Sequence, residues 1–231
     1  MRTIADKILD FYFNLELSEE VLPSDIKVMN PFKDKSNQFV KEIITKFYKK
    51  FYNDNKPRRL LLGINPGRFG GGVTGLPFTD TKRLNKNCGI RFDKFETHEP
   101  SSVFIYEMIE AYGGAEYFYS ENLISAVSPL GFVKVKENGK SVNHNYYDSA
   151  ELYESVKPFI INCLREHVNF NVKTGKVFSI GTGKNLKYLM KLNNEESLFN
   201  EIIAVEHPRY IMQYKSKEKQ KYISKYLEVL K

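Results

Sequence analysis

Asn65 comes directly after the apolar run at residues 59–64, and His207 directly after the run at 202–206. A carboxamide can hold a water molecule with its oxygen while donating through its nitrogen. It carries no charge and is no strong base. His207 is the second polar residue at such a position. Pro208 restricts His207 to extended backbone, which helps aim the ring. A lone histidine is more often structural than catalytic. The placement of both residues at one end of a sheet is what favours catalysis.

Asn65 opens a stretch, Gly63-Ile-Asn-Pro-Gly-Arg-Phe-Gly-Gly-Gly-Val-Thr-Gly-Leu-Pro-Phe78, with six glycines and two prolines in sixteen residues. Gly70, Gly72 and Gly75 spell G-x-G-x-x-G, but a dinucleotide loop follows its strand at once and opens a helix. Here six residues intervene after Gly63, and Leu-Pro-Phe follows Gly75. A phosphate loop fails too, because Gly183-Lys184 has Phe178 and Asn185 where glycine and a hydroxyl residue belong. What remains is a wall of small residues that lets a ligand approach the backbone, stiffened by Pro66 and Pro77. Phe78 at its end offers a flat face to a planar ligand. The alternative is a tight turn with Asn65 bonded to itself and Phe78 in the core.

Helical spacing predicts helices at 3–14, 37–52, 101–112, 148–167 and 184 onward, with a last helix capped by Ser216. Asp148-Ser-Ala-Glu151 has the form of a capping box, and Pro158 should bend the helix it opens. Apolar runs predict strands at 59–64, 122–128, 176–180 and 202–206. Residues 18–36 read as irregular, broken by Pro23 and Pro31. Strands separated by helices give a parallel sheet with helices on both faces, and sites gather at the carboxyl ends of its strands. The loops after Ile64, Val127 and Glu206 converge there.

A chain of 231 residues can bury one core. One domain over 1–231 is expected, with 1–55 as its N-terminal helical part. No apolar run spans a bilayer, and the first residues lack a signal-peptide layout. The cysteines, Cys88 and Cys163, have no partners at metal-ligand spacing, so neither an iron–sulfur cluster nor a zinc site built on cysteines is expected. Their scarcity fits a reducing cytoplasm. The formal charge of +7 suits either an anionic partner, nucleic acid first, or a solubilising surface.

Gly63-Ile-Asn-Pro-Gly-Arg-Phe-Gly70, Thr74-Gly-Leu-Pro-Phe78 and His207-Pro208 together resemble the single-strand-selective monofunctional uracil-DNA glycosylases of the uracil-DNA glycosylase superfamily, in a bacterial branch. Weaker similarity runs through Val28-Met-Asn-Pro-Phe32 and Ser128-Pro-Leu130. The resemblance implies a three-layer αβα sandwich around a mostly parallel four-stranded sheet. It implies hydrolysis of the N-glycosidic bond of a damaged base in DNA, without metal or cofactor, by a monomer, near the nucleoid. By position, Asn65 would hold the attacking water and His207 would face the oxygen on which charge builds. Ile64, Gly67 and Phe78 would line the base pocket.

The sequence departs from that pattern at Ala126, where the family has a base-reading asparagine. Ser125, Ser128 and the run Asn143-His-Asn-Tyr-Tyr-Asp148 are candidates to replace it. Tyr210, Ile211 and Met212 are bulky enough to wedge into the space a flipped base leaves, or else pack the last loop on the core. Arg68, Arg209, Lys215 and Lys217 are candidates for phosphate contacts, though a solvated face is the ordinary role of such lysines. Two other readings stay open: a lesion- or single-strand-binding protein with weak catalysis, and a hydrolase of free nucleosides or nucleotides.

Overall fold

A computed structural model describes residues 2–34 and 38–231. The predicted helix start at Asn37 lies outside them. The described elements are α1 (Ile4–Asn14), β1 (Ile26–Met29), α2 (Phe39–Phe51), β2 (Arg58–Gly63), α3 (Gly71–Thr74), α4 (Thr81–Lys86), α5 (Pro100–Tyr112), α6 (Ala115–Glu121), β3 (Asn122–Ala126), β4 (Gly131–Val135), β5 (Ser141–His144), α7 (Ala150–Asn169), β6 (Val172–Ile180), α8 (Lys184–Glu196), β7 (Glu201–Val205), α9 (Pro208–Tyr214) and α10 (Lys219–Leu230).

The main sheet has strand order β3-β2-β6-β7, parallel throughout. Leu60, Leu61 and Leu62 are fully buried, as expected of a central strand covered on both faces. From β2 the chain turns to one side to make β3 and later returns to the other side to make β6. That reversal opens a crevice at the carboxyl ends, where ligands of such sheets sit. Gly63 pairs with Ala126, and Ile180 with Val205, so all four strands end at one edge. Among the described residues no helix is long and apolar enough to cross a membrane.

The expected four strands are present, but the irregular reading of 18–36 needs correction. β1 joins the hairpin of β4 and β5 in a second, antiparallel sheet of order β1-β4-β5. That sheet carries the segment after β5 to the cleft. Ser149, rather than Asp148, caps α7 by accepting from Leu152 N at 3.2 Å. Asp148 Oδ2 instead accepts from Asn145 N at 2.8 Å. α7 runs on through Pro158. Ser216 does not cap α10; it opens a 3₁₀ turn, and Glu218 precedes the helix without a side-chain cap.

One buried group ties the core to the cleft. His167, on the last turn of α7, packs against the rings of Phe11 and Phe170 and meets Ser125 Oγ at 2.5 Å. Burial pushes its pKa down to about 4. The unfolded chain takes up this proton near the ordinary 6.5, the folded one only near 4. Stability from His167 is thus intact above pH 6.5 and is lost as pH falls toward 4. Between pH 7 and pH 5 the wild type should lose about 2 kcal/mol more than His167→Leu does. Urea midpoints of both proteins at the two pH values check this; equal losses would contradict it.

Candidate active site

The strand ends open onto a cleft of about 790 Å³, lined by Asn65, Phe78, Ala126 and His207 among others. Asn65 is half-buried. Its Oδ1 accepts from Tyr146 N at 3.1 Å, and its Nδ2 donates at a long 3.4 Å to the carbonyls of Pro66 and His144. The Tyr146 contact fixes which end of the amide is which. It occupies one lone pair of Oδ1 and leaves the other for a water molecule. The amide does reach its own turn at Pro66, but its shorter bond is to the segment after β5.

Phe78 has a positive φ of 51°, a left-handed conformation that is uncommon outside glycine and costs of order 1–3 kcal/mol. Buried Thr74 holds it there, its hydroxyl donating to Thr79 O at 2.7 Å. The turn between them needs Gly75, at φ 73°, where a Cβ would lie 2.8 Å from Val40 Cγ1. Gly63 is needed for a different reason. A Cβ there would lie 3.0 Å from Phe78 Cε2, pushing the ring off the strand end. The ring is half-buried, and its centroid stands 5.7 Å from that of His207. It packs against the core and also lines the cleft.

His207 begins α9 rather than lying in an open loop. Pro208 fits the first helical position, where no N–H is needed. His207 is the N-cap, its Nδ1 accepting from Arg209 N at 3.1 Å. The proton of the neutral ring is therefore on Nε2. Burial, with Arg209 adding to it, pushes the imidazole pKa down to about 4. At neutral pH His207 is thus an uncharged donor through Nε2.

Ile64, Gly67, Arg68 and Arg209 also line the cleft. Ser128 does not: it is fully buried, and its hydroxyl donates to Leu130 O at 2.8 Å, so its assignment to the base pocket is corrected. Ser125 does line the cleft, but its hydroxyl is engaged with His167. Of the run after β4, Asn143 and Asn145 reach the cleft, and Asn143 Oδ1 accepts from Arg68 N at 3.2 Å.

The wedge assignment changes as well. Ile211 is fully buried and Met212 packs on the core, so neither can enter DNA from α9. Tyr210 is exposed beside Tyr214, their ring centroids 5.7 Å apart. Phe69, which lines the cleft, is exposed too, with the Arg68 guanidinium 5.1 Å from its ring centroid. Lys215 pairs with Glu218 at 3.1 Å, whereas exposed Lys217 has no ion pair among the described residues. Phe69, Tyr214 and Glu99 were missed from the sequence. Adjacent cations were the available signal for the first two.

The family model of the uracil DNA glycosylase superfamily matches residues 49–231, the segment that holds the whole parallel sheet. The crystal structure of wild-type SMUG2 from Pedobacter heparinus is 50% identical, with a TM-score of 0.94, and the match covers 99% of this chain and 97% of that one. No curated protein matches the chain. Asn65, Phe78 and His207 thus share one cleft within a family fold, and the chain belongs to the uracil DNA glycosylase superfamily as a SMUG-like DNA glycosylase, a hydrolase of N-glycosyl bonds.

Proposed function

We propose that the protein excises a damaged base from DNA, with uracil, an oxidised uracil or another deaminated base such as xanthine as the substrate class. The carrying observation is the shared cleft of Asn65, Phe78 and His207, with Nε2 of His207 left as a neutral donor. A base stacked in a duplex must first be flipped out, at a cost of a few kcal/mol. Stacking on Phe78 offsets about 1–3 kcal/mol of that. Exposed Tyr210 and Phe69 are the side chains that would fill the vacated space. Asn65 then holds a water molecule against the sugar, and His207 donates to the base as it departs with negative charge. Neither position offers an amine, so no Schiff base forms and the backbone is left uncut. The protein acts as a monomer in the cytoplasm.

Labelled oligonucleotides bearing uracil, 5-hydroxymethyluracil, xanthine or hypoxanthine test this. Hot alkali after incubation should reveal abasic sites with at least one of them. Tight binding without any abasic site would favour the non-catalytic, lesion-binding reading.

Arg68, Arg209 and Lys217 are the proposed phosphate contacts. The logarithm of DNA affinity should fall linearly with the logarithm of salt concentration. Lys217→Ala should make that slope shallower by about 0.7–0.9, the loss of one contact. An unaltered slope would return Lys217 to the solvated surface.

A further inference from the structure

Glu99 is the only carboxylate among the described residues that line the cleft. It immediately precedes α5, and its backbone N–H donates to Asp80 Oδ2 at 2.8 Å. Its side chain lies flat against the glycine-rich wall: a Cβ built on Gly70 would stand 2.0 Å from Glu99 Oε2. Among the described residues the carboxyl group has no hydrogen bond and no ion pair. An acid without a partner is out of place in a cleft that must admit a polyanion, unless it meets the ligand in another way.

We propose that the Glu99 carboxyl group is a specificity-determining contact, hydrogen-bonding the imide edge of the flipped base in the role that Ala126 cannot fill. The inference rests on the glycosylase reading above. An imide edge presents a carbonyl acceptor beside an N–H donor, and uracil, 5-hydroxymethyluracil and xanthine all carry one. A carboxamide complements it with one donor and one acceptor. A protonated carboxyl group presents the same pair. The surroundings favour that form. Asp80 faces Glu99 from the start of α4 and repels a second negative charge, although Arg83 pairs with Asp80 at 3.2 Å and also bonds His98 beside Glu99. Arg209 of α9 acts the other way. Arg68 and neutral His207 border the same cleft. Burial comes first and Asp80 second, and together they push the Glu99 pKa up to about 7 against Arg209.

Glu99 and Asn65 are held in the cleft by different parts of the chain. The Asn65 amide is held by the segment after β5, whereas Glu99 rests between Gly70 and the start of α4. The two groups belong to different walls.

The test is kcat/KM for release of uracil from a single-stranded oligonucleotide between pH 5.5 and 8.5, for wild type, Glu99→Gln and Glu99→Ala. Thermal melting confirms that each variant is folded. With the contact made by the acid form, wild-type activity should fall about tenfold per pH unit above pH 7. Glu99→Gln carries the donor and acceptor at every pH, so its profile should stay flat there and exceed wild type at pH 8.5. Glu99→Ala should be about ten- to hundredfold slower than wild type at pH 6, the cost of leaving buried partners unpaired.

Parallel wild-type and Glu99→Gln profiles would overturn the inference. So would a Gln variant as inactive as the Ala variant at every pH, which would make Glu99 a general base. Release of uracil by wild type with either of those results defeats this inference alone. Failure of wild type to release any base defeats the glycosylase reading and this inference with it.

Discussion

Asn65→Ala should lower kcat/KM for base release by about 10²-fold or more, the scale of losing the positioning of one reactant. The expectation follows from the bonds of the amide. Its oxygen is turned by Tyr146 N at 3.1 Å, and its nitrogen points between the carbonyls of Pro66 and His144. Alanine would remove the proposed water site and leave the Tyr146 N–H without its acceptor. Asn65→Asp keeps an oxygen for Tyr146 but turns negative charge toward two carbonyl oxygens that the amide had donated to. It should fall between alanine and wild type. Single-turnover rates on the most active base of the panel measure both variants, with melting curves as the folding control. An alanine variant at the wild-type rate would remove Asn65 from the chemistry.

The parallel sheet was legible because its strands are apolar runs standing between helical patterns, and burial on both faces demands such runs. The antiparallel sheet was not. β5 reads Ser-Val-Asn-His, with one apolar residue, and it is a strand because β4 pairs with it. Tertiary contact, not propensity, decides such a strand. The Asn138-Gly139 dipeptide between β4 and β5 was a hairpin signal that went unread. α9 was missed because seven residues are too few to display a helical period.

The same limit separates the candidates that reach the cleft from those that do not. Position in sequence marks the end of a strand, and Asn65 and His207 could be read from that alone. It does not give direction. The backbone N–H of Ser128 extends the pairing to Ile64 O, while its hydroxyl folds back on Leu130. Within α9, Tyr210 and Tyr214 are four apart and face outward together, while Ile211 lies on the inner side. Without the helix, the three bulky residues 210–212 looked equivalent.

His207 has an observed role as a cap and a proposed one as a donor, and one substitution would confuse them. Alanine removes the Nε2 donor, at about 10²–10³ in kcat/KM, and also the cap on Arg209 N, at about 0.5–2 kcal/mol of stability. Asparagine separates them. It is a good N-cap, so His207→Asn should keep a melting temperature near wild type. Its short amide cannot reach where the imidazole Nε2 donates, so it should lose the same 10²–10³ in rate. A fast Asn variant would reduce His207 to a cap. The pH dependence gives a second check. With its pKa near 4, His207 stays neutral throughout the range above that, so wild-type activity should show no imidazole step near pH 6.5. The hydrogen bond explains the sign: an added proton would have to enter at Nδ1, where Arg209 N–H already points. Protonation would then break the cap and set two positive charges side by side. Activity rising as pH falls through 6.5 in wild type, but not in His207→Asn, would mean that the imidazolium is the working donor.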